Sequence, residues 1–248
     1  MIRVKDVWKS YNSVPVLKGL SLEIPSKQTT IILGRSGVGK SVLLKQIAGI
    51  ETPERGSIEI NGIELSSLPQ KERTRVSSQV GMLFQGSALF DSMNIFDNIA
   101  FALVHRHRLS KQEILEQVEQ SLFQVGLPGF EEKYPSELSG GQKRRAALAR
   151  LLVYKPSFLL FDEPTTGLDP ITAGQIISLI EQTQKNLEAT SVIVTHDLVL
   201  AMRVGSYFAL HEQGVIRVSG NKKEFFANPE MIIQEFISQA TLPIQEKP

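Results

Sequence analysis

Gln28-Thr29-Thr30-Ile31-Ile32-Leu33 runs directly into Gly34-Arg35-Ser36-Gly37-Val38-Gly39-Lys40-Ser41, and that into Val42-Leu43-Leu44-Lys45-Gln46-Ile47-Ala48-Gly49-Ile50. The first six residues read as a short apolar strand. Residues 41–50 read as a helix whose buried set is Val42, Leu43, Ile47 and Ala48. Between them lies the pattern G-x-x-x-x-G-K-[ST]. Glycines let backbone N–H groups converge on one centre, and the start of the following helix adds its positive dipole end, so the loop suits a phosphate. A merely flexible glycine loop would not require a strand before it and a helix after it.

Working outward, Ile2-Arg3-Val4 and Leu20-Ser21-Leu22-Glu23-Ile24 are short β-like pieces. Residues 56–65 read as a hairpin, with Ser57 to Ile60 alternating and Asn61-Gly62 as the turn. Residues 71–76 read as a basic polar connector and 80–84 as a buried strand. Helical character covers 109–122, where Ser110 and Glu113 form a capping-box pattern. Pro128 and Pro135 bracket a loop, and a helix over 141–154 stops before Pro156. Strands at 158–161 and 191–195 flank a helix at 172–186, and 207–218 reads as a hairpin around Gln213-Gly214. Strand and helix alternate, which argues for a mostly parallel sheet. Ile232, Ile233, Phe236 and Ile237 space as a terminal helix, followed by a short polar tail.

Phe158-Leu159-Leu160-Phe161-Asp162-Glu163 places two carboxylates at the C-terminal end of an apolar strand, where ligands bind in parallel sheets. Alone this would read as a solvated acidic turn before Pro164. Beside the glycine loop it reads as a Walker B strand. Leu138-Ser139-Gly140-Gly141-Gln142 narrows the choice further. With these three motifs the chain resembles the ATPase subunit of an ATP-binding-cassette (ABC) transporter, over roughly residues 2 to 230.

The resemblance implies an α/β fold: a P-loop NTPase (RecA-like) core, an N-terminal antiparallel β-subdomain and an inserted α-helical subdomain. Residues 1–248 form one ABC ATPase domain on this reading. About 1–85 and 155–225 make the core with its β-subdomain, about 86–154 the helical signature subdomain, and 226–248 a C-terminal helix and tail. ATP and Mg²⁺ are the implied cofactors. Gly34, Arg35, Ser36, Gly37, Val38, Gly39, Lys40, Ser41 and Val42 would hold the nucleotide, with Lys40 on the β- and γ-phosphates. Ser41 would ligate Mg²⁺, and Asp162 would hold it through water. Glu163 would act as base or polarise the attacking water. His196, after Ser191-Val192-Ile193-Val194-Thr195, matches the family's γ-phosphate histidine. Gln85 matches the Q-loop glutamine at Mg²⁺ or the lytic water. Tyr11 matches the adenine-stacking aromatic, with Trp8 as its nearest competitor and a plain core tyrosine as the rival reading.

In the family, Ser139, Gly140, Gly141 and Gln142 would clamp the γ-phosphate from the opposite subunit, and Leu168-Asp169 would cross the same interface. A homodimer follows from this. The run from Gly86 to Phe101 resembles the Mla-type (Mkl-like) ATPases, as does Ser41-Val42-Leu43-Leu44-Lys45. That likeness implies lipid cargo, a permease dimer, an MCE-domain lipid-binding protein and a small STAS-domain subunit. Leu89, Phe90, Met93 and Phe96 would offer apolar area to the permease; for Phe96 and Phe101, core packing is an equal reading. An importer for amino acids or other small polar solutes shares the chemistry. A non-transport ABC ATPase and a P-loop kinase are the readings from other classes.

Composition sets the outer bounds. The 248 residues are 42% hydrophobic, with net charge +1 and no cysteine. A sizeable core is available, disulfides and cysteine-based metal sites are excluded, and no basic field favours nucleic acid. The N-terminus has no signal-peptide pattern, and the apolar runs are far shorter than the ~20 residues that span a bilayer. The expected place is the cytoplasmic face of the inner membrane, held peripherally by the permease.

Overall fold

The computed structural model describes residues 1–104 and 109–229. The terminal helix and tail expected beyond residue 229, like His105 and His107, lie outside the described residues. The chain begins with β1 (Ile2–Tyr11), β2 (Val14–Ile24), β3 (Thr29–Leu33), α1 (Lys40–Ile47), β4 (Arg55–Ile60), β5 (Ile63–Glu64), α2 (Gln70–Ser77) and β6 (Val80–Leu83). Three helices follow: α3 (Ile95–Val104), α4 (Lys111–Gln124) and α5 (Gly140–Leu152). Then come β7 (Phe158–Asp162), α6 (Pro170–Leu187), β8 (Thr190–Thr195), α7 (Leu198–Val204), β9 (Tyr207–Glu212), β10 (Val215–Asn221) and α8 (Lys222–Phe226).

Two sheets result. One is antiparallel, in the order β2-β1-β4-β5. Its β4–β5 hairpin turns at Asn61-Gly62, both at positive φ, as the dipeptide predicts. The other runs β10-β9-β3-β8-β7-β6 and is parallel except for the edge strand β10. Strands β3, β7 and β8 are buried at every position. That is why they read as unbroken apolar runs, as strands covered on both faces do.

The pleat divides this sheet between two cores. Ile31, Leu33, Leu159, Phe161 and Ile193 pack with α3 to α7. Ile32, Leu160, Val192 and Val194, one residue out of step, pack against α1 and the antiparallel sheet. Helix α1 therefore sits between the two sheets, with Leu43, Leu44 and Ile47 fully buried.

The structure corrects three expectations. Residues 70–77 form helix α2, not a connector. Only Val76 of that helix is buried, so it carries almost no apolar periodicity to read. In α1, Leu44 is buried and Val42 only half-buried, because Val42 faces the loop side of the helix. Helices α3 and α7 had no counterpart in the expected pattern. The capping box at Ser110 and Glu113 is present.

Candidate active site

Four neighbouring parallel strands end at one place. Strand β3 gives way to Gly34 and the glycine loop, β7 ends at Asp162, β8 runs into His196, and Gln85 lies two residues past β6. Their ends open on a cavity of about 400 Å³ lined by Val16, Ser36, Gly37, Gly39, Lys40, Ser41, Val42, Gln85, Glu163, Thr166 and His196. This is the carboxyl edge of a parallel sheet, where such ligands sit.

Gly39 caps α1 at φ 106°, a conformation open to glycine, and a Cβ there would lie 2.7 Å from Val16. No side chain caps α1, so its first-turn amides remain available to an anion. Lys40 is 5% exposed. Its Nζ donates to the carbonyls of Gly34 (2.7 Å) and Arg35 (2.9 Å) and stands 3.3 Å from Glu163 Oε1. Arg35, Ser36 and Gly37 are exposed, and Val38 is half-buried.

Ser41 donates its hydroxyl to Asp162 Oδ1 at 2.8 Å. Burial pushes the Asp162 carboxyl above its usual range, opposed by the Ser41 hydrogen bond and reinforced by the neighbouring Glu163. Glu163 is 7% exposed and sits in the left-handed region at φ 47°, its amide bonded to Val194 O. A non-glycine residue in that region is held by its surroundings. Its Oε2 lies 2.9 Å from His196 Nδ1 and accepts from Thr166 (3.1 Å) and Thr195 (3.5 Å). Thr165 reaches the Asp197 carboxylate at 2.8 Å, locking the β7 and β8 loops together.

Tyr11 is 42% exposed, and its hydroxyl donates to Glu51. Burial, and then Glu51, push its pKa up to about 12, so the phenol stays a neutral donor. It does not line the cavity. Val16 does, at the bulge between the pairs Lys9–Leu17 and Ser10–Pro15; bulges re-aim side chains in this way. Trp8 is engaged elsewhere, with its indole N–H on Asp6 (3.0 Å) and Arg55 over its ring.

Ser139, Gly140, Gly141 and Gln142 stand apart from the cavity, at the start of α5. Ser139 Oγ accepts from Gln142 N, and the Gln142 side chain accepts from Ser139 N at 2.9 Å, closing a capping box. A Cβ on Gly141 would meet Thr172 at 2.3 Å, so glycine here permits the contact of α5 with α6, while a Cβ on Gly140 would make only an ordinary contact with Leu168 at 4.0 Å. Asp169 caps α6 through Ile171 N and Thr172 N.

The sequence reading missed Val16, Thr165, Thr166 and Thr195. The consecutive hydroxyls of Thr165-Thr166 after Glu163-Pro164 were the available signal. Val16 offered none, since its role depends on a bulge.

The profile of the ABC transporter family matches residues 17–166. The chain belongs to that family. It is 38% identical over 237 residues to the Mycobacterium leprae protein named probable ribonucleotide transport ATP-binding protein mkl, covering 96% of this chain and 68% of that protein. It is 37% identical over 238 residues to MlaF of Haemophilus influenzae, the ATP-binding protein of an intermembrane phospholipid transport system, covering 96% and 90%. It is 38% identical over 242 residues to the methionine import ATP-binding protein MetN of Clostridium tetani, covering 98% and 76%. Among solved structures it matches the dimeric ATP-binding cassette MJ0796 in a post-hydrolysis state bound to ADP and Pi. There the TM-score is 0.83 at 29% identity, over 89% of this chain and 98% of that one. The chain is thus an ABC transporter ATPase subunit that binds and hydrolyses ATP. No helix among the described residues is long and apolar enough to cross a membrane.

Against the base of the glycine loop lies His211, 1% exposed, with neither ring nitrogen hydrogen-bonded to protein. A Cβ on Gly34 would sit 2.5 Å from its carbonyl oxygen. Burial, and secondarily Lys40, pull the imidazole pKa down to about 4 from 6.5. A depressed folded value means the fold favours neutral His211, so its contribution is intact above pH 6.5 and is lost as pH falls through about 4. The loss is on the order of 3 kcal/mol. Asp162 acts in the opposite sense, because its folded pKa is raised and its contribution fades as pH rises through that value. Urea unfolding across this window should show the parent losing more stability on acidification than His211→Gln does. Equal acid sensitivity in both would remove His211 as the cause.

Proposed function

We propose that residues 1–248 act as one cassette that binds ATP with Mg²⁺, pairs with a second copy, and drives lipid transport, chiefly of phospholipid, through a partner permease. The observation that carries the chemistry is the convergence of Lys40, Ser41, Glu163 and His196 on one cavity, with Asp162 held behind Ser41.

Ser41 and Asp162 are hard oxygen donors 2.8 Å apart. Among the described residues no cluster of three or more His, Cys, Asp or Glu could hold a metal. A sparse oxygen set that leaves room for phosphates and water suits Mg²⁺. Bound there, Mg²⁺ would neutralise charge on the phosphate oxygens. The chain's own residues do the rest. Lys40 exchanges its Gly34 and Arg35 carbonyls for phosphate oxygens, and the uncapped amides of α1 face the same charge. Glu163 takes the proton of the attacking water as the water oxygen bonds to the γ-phosphorus and the bond to the bridging oxygen breaks. His196 and Gln85 border the same space and contact the γ-phosphate and the water. Tyr11 offers its ring to adenine.

Ser139 to Gln142 stand outside the cavity that Lys40, Glu163 and His196 line. That placement favours a head-to-tail pair in which the signature motif of one copy reaches the cavity of the other.

Beside Gln85 runs a groove of about 380 Å³ lined by Met82, Phe84, Ala88, Phe90, Phe101, Ala102, Ala147, Arg150, Leu151 and Tyr154. Its exposed aromatics, Phe90 and Phe101, suit a permease helix. Leu89 and Phe96, both half-buried, pack against the core as well. Docking there places the chain at the cytoplasmic face of the inner membrane.

Lipid cargo is favoured by the likeness of residues 86–101 to the Mla group and by MlaF. It carries with it an MCE-domain protein and a STAS-domain subunit as partners. Methionine-type import is the second reading, favoured by MetN. Co-purification of the intact complex, with the subunits and extracted lipid identified by mass spectrometry, separates them. Phospholipid with an MCE-domain subunit is the expected result. A solute-binding protein without lipid would overturn the lipid reading.

A further inference from the structure

We infer that Arg144 and Arg150 of α5 bracket the backbone around Gln85 and set where that side chain stands, which makes them positioning residues for ATP hydrolysis. The inference rests on the role proposed above for Gln85.

Arg144 is 5% exposed in the middle of a core helix. A buried guanidinium is costly unless it is paired, and an apolar residue would serve packing better. Burial draws its pKa down, and Asp162 opposes the shift. Its Nη1 donates to Phe84 O, the carbonyl immediately before Gln85, at 2.7 Å. Arg150, six positions along the helix, donates from Nη2 to Ser87 O at 3.3 Å, two residues beyond Gln85. Its guanidinium also lies over the Phe90 ring, 5.6 Å from the centroid. Arg145, between them, does different work, bonding Val125 O and Gly126 O where α4 ends.

The bracketed loop needs holding. Ser87 (φ 64°) and Ala88 (φ 49°) are consecutive non-glycine residues in the left-handed region. Such strain persists where the surroundings over-determine it. The far end of the loop is fixed as well. Asn98, fully buried in α3, accepts from Phe90 N at 2.8 Å and donates to Phe90 O at 3.0 Å. The loop is therefore tied to the helices before, within and after its strained pair, while Gln85 itself lines the phosphate cavity. The helix that carries Arg144 and Arg150 also begins at Ser139. A shift of α5 against the sheet then carries Gln85 with it, so the signature motif and the water-side glutamine move together.

The test is a double-mutant cycle in the purified full chain, reading kcat and KM for ATP. Arg144→Gln is expected to lower kcat about tenfold with KM nearly unchanged, as small misplacements of a catalytic group do. Gln85→Ala should lower kcat at least as much. Since Arg144 acts through Gln85, the double variant should be no slower than Gln85→Ala alone, within about twofold. Arg144→Lys, which can still donate to Phe84 O, should recover part of the rate. Arg150→Gln, alone and with Gln85→Ala, covers the case of an Arg144→Gln chain that does not fold: it removes the charged donor to Ser87 O and should lower kcat alone while adding nothing to Gln85→Ala. Losses that multiply, or Arg144→Gln at the parent rate beside a slow Gln85→Ala, overturn the bracket alone. Gln85→Ala at the parent rate overturns the role of Gln85 and the bracket with it.

Discussion

Glu163→Gln should bind ATP and fail to turn it over. Glutamine preserves the shape and an oxygen that can still accept from Lys40 and Thr166, which meet Glu163 at 3.3 and 3.1 Å. It removes the charge and the basic lone pair. The geometry leaves little redundancy: Glu163 is the carboxylate that Lys40, His196, Thr166 and Thr195 all approach, and Asp162 is engaged by Ser41. General-base assistance of this kind is worth roughly 10² to 10⁴ in rate, or about 3 to 5 kcal/mol of barrier. We therefore expect kcat to fall by at least about a hundredfold while the ATP dissociation constant stays within a few-fold of the parent. With hydrolysis blocked, gel filtration in ATP should show a dimer that the parent shows only transiently. Parent-like turnover would remove Glu163 from the role of base.

Much of this site was legible because its parts are local. The unbroken apolar runs of β3 and β7 stem from burial on both faces, and each hands its chemistry to the next residue, Gly34 in one case and Asp162-Glu163 in the other. The parallel sheet then brings those ends together whatever lies between them. Contacts that join distant residues without a periodic signature were not legible. Tyr11 finds Glu51, Thr165 finds Asp197, and Arg144 finds a carbonyl at Phe84. A backbone oxygen leaves no trace in the sequence. Helix α2 was missed for a related reason, since a helix that buries one residue has no stripe to count. The choice between core and groove for Phe96 and Phe101 turned on helix rotation. Phe96 faces the core, and Phe101 meets Phe90 edge-on at 5.2 Å in the groove.

Mixing two inactive variants should restore activity. In a symmetric pair each composite site would take its glycine loop and carboxylates from one copy and its signature serine from the other. Lys40→Ala disables the first half, and Ser139→Glu the second, by setting a carboxylate where the γ-phosphate must come. Each variant alone forms pairs in which both sites are broken. A mixed pair contains one site with Lys40 from the Ser139→Glu copy and Ser139 from the Lys40→Ala copy, and that site is whole. With random pairing half of the dimers are mixed, and each keeps one site of two, so about a quarter of the parent rate should return. A site confined to one chain could not be rescued, because every chain in the mixture carries a lesion. The position of Ser139 makes this test decisive. Its hydroxyl is occupied in the α5 capping box, away from its own Lys40, so Ser139→Glu can act on hydrolysis through a neighbour's cavity or by loosening the start of α5. Rescue by mixing occurs only in the first case; a mixture as inactive as its components would exclude the shared site.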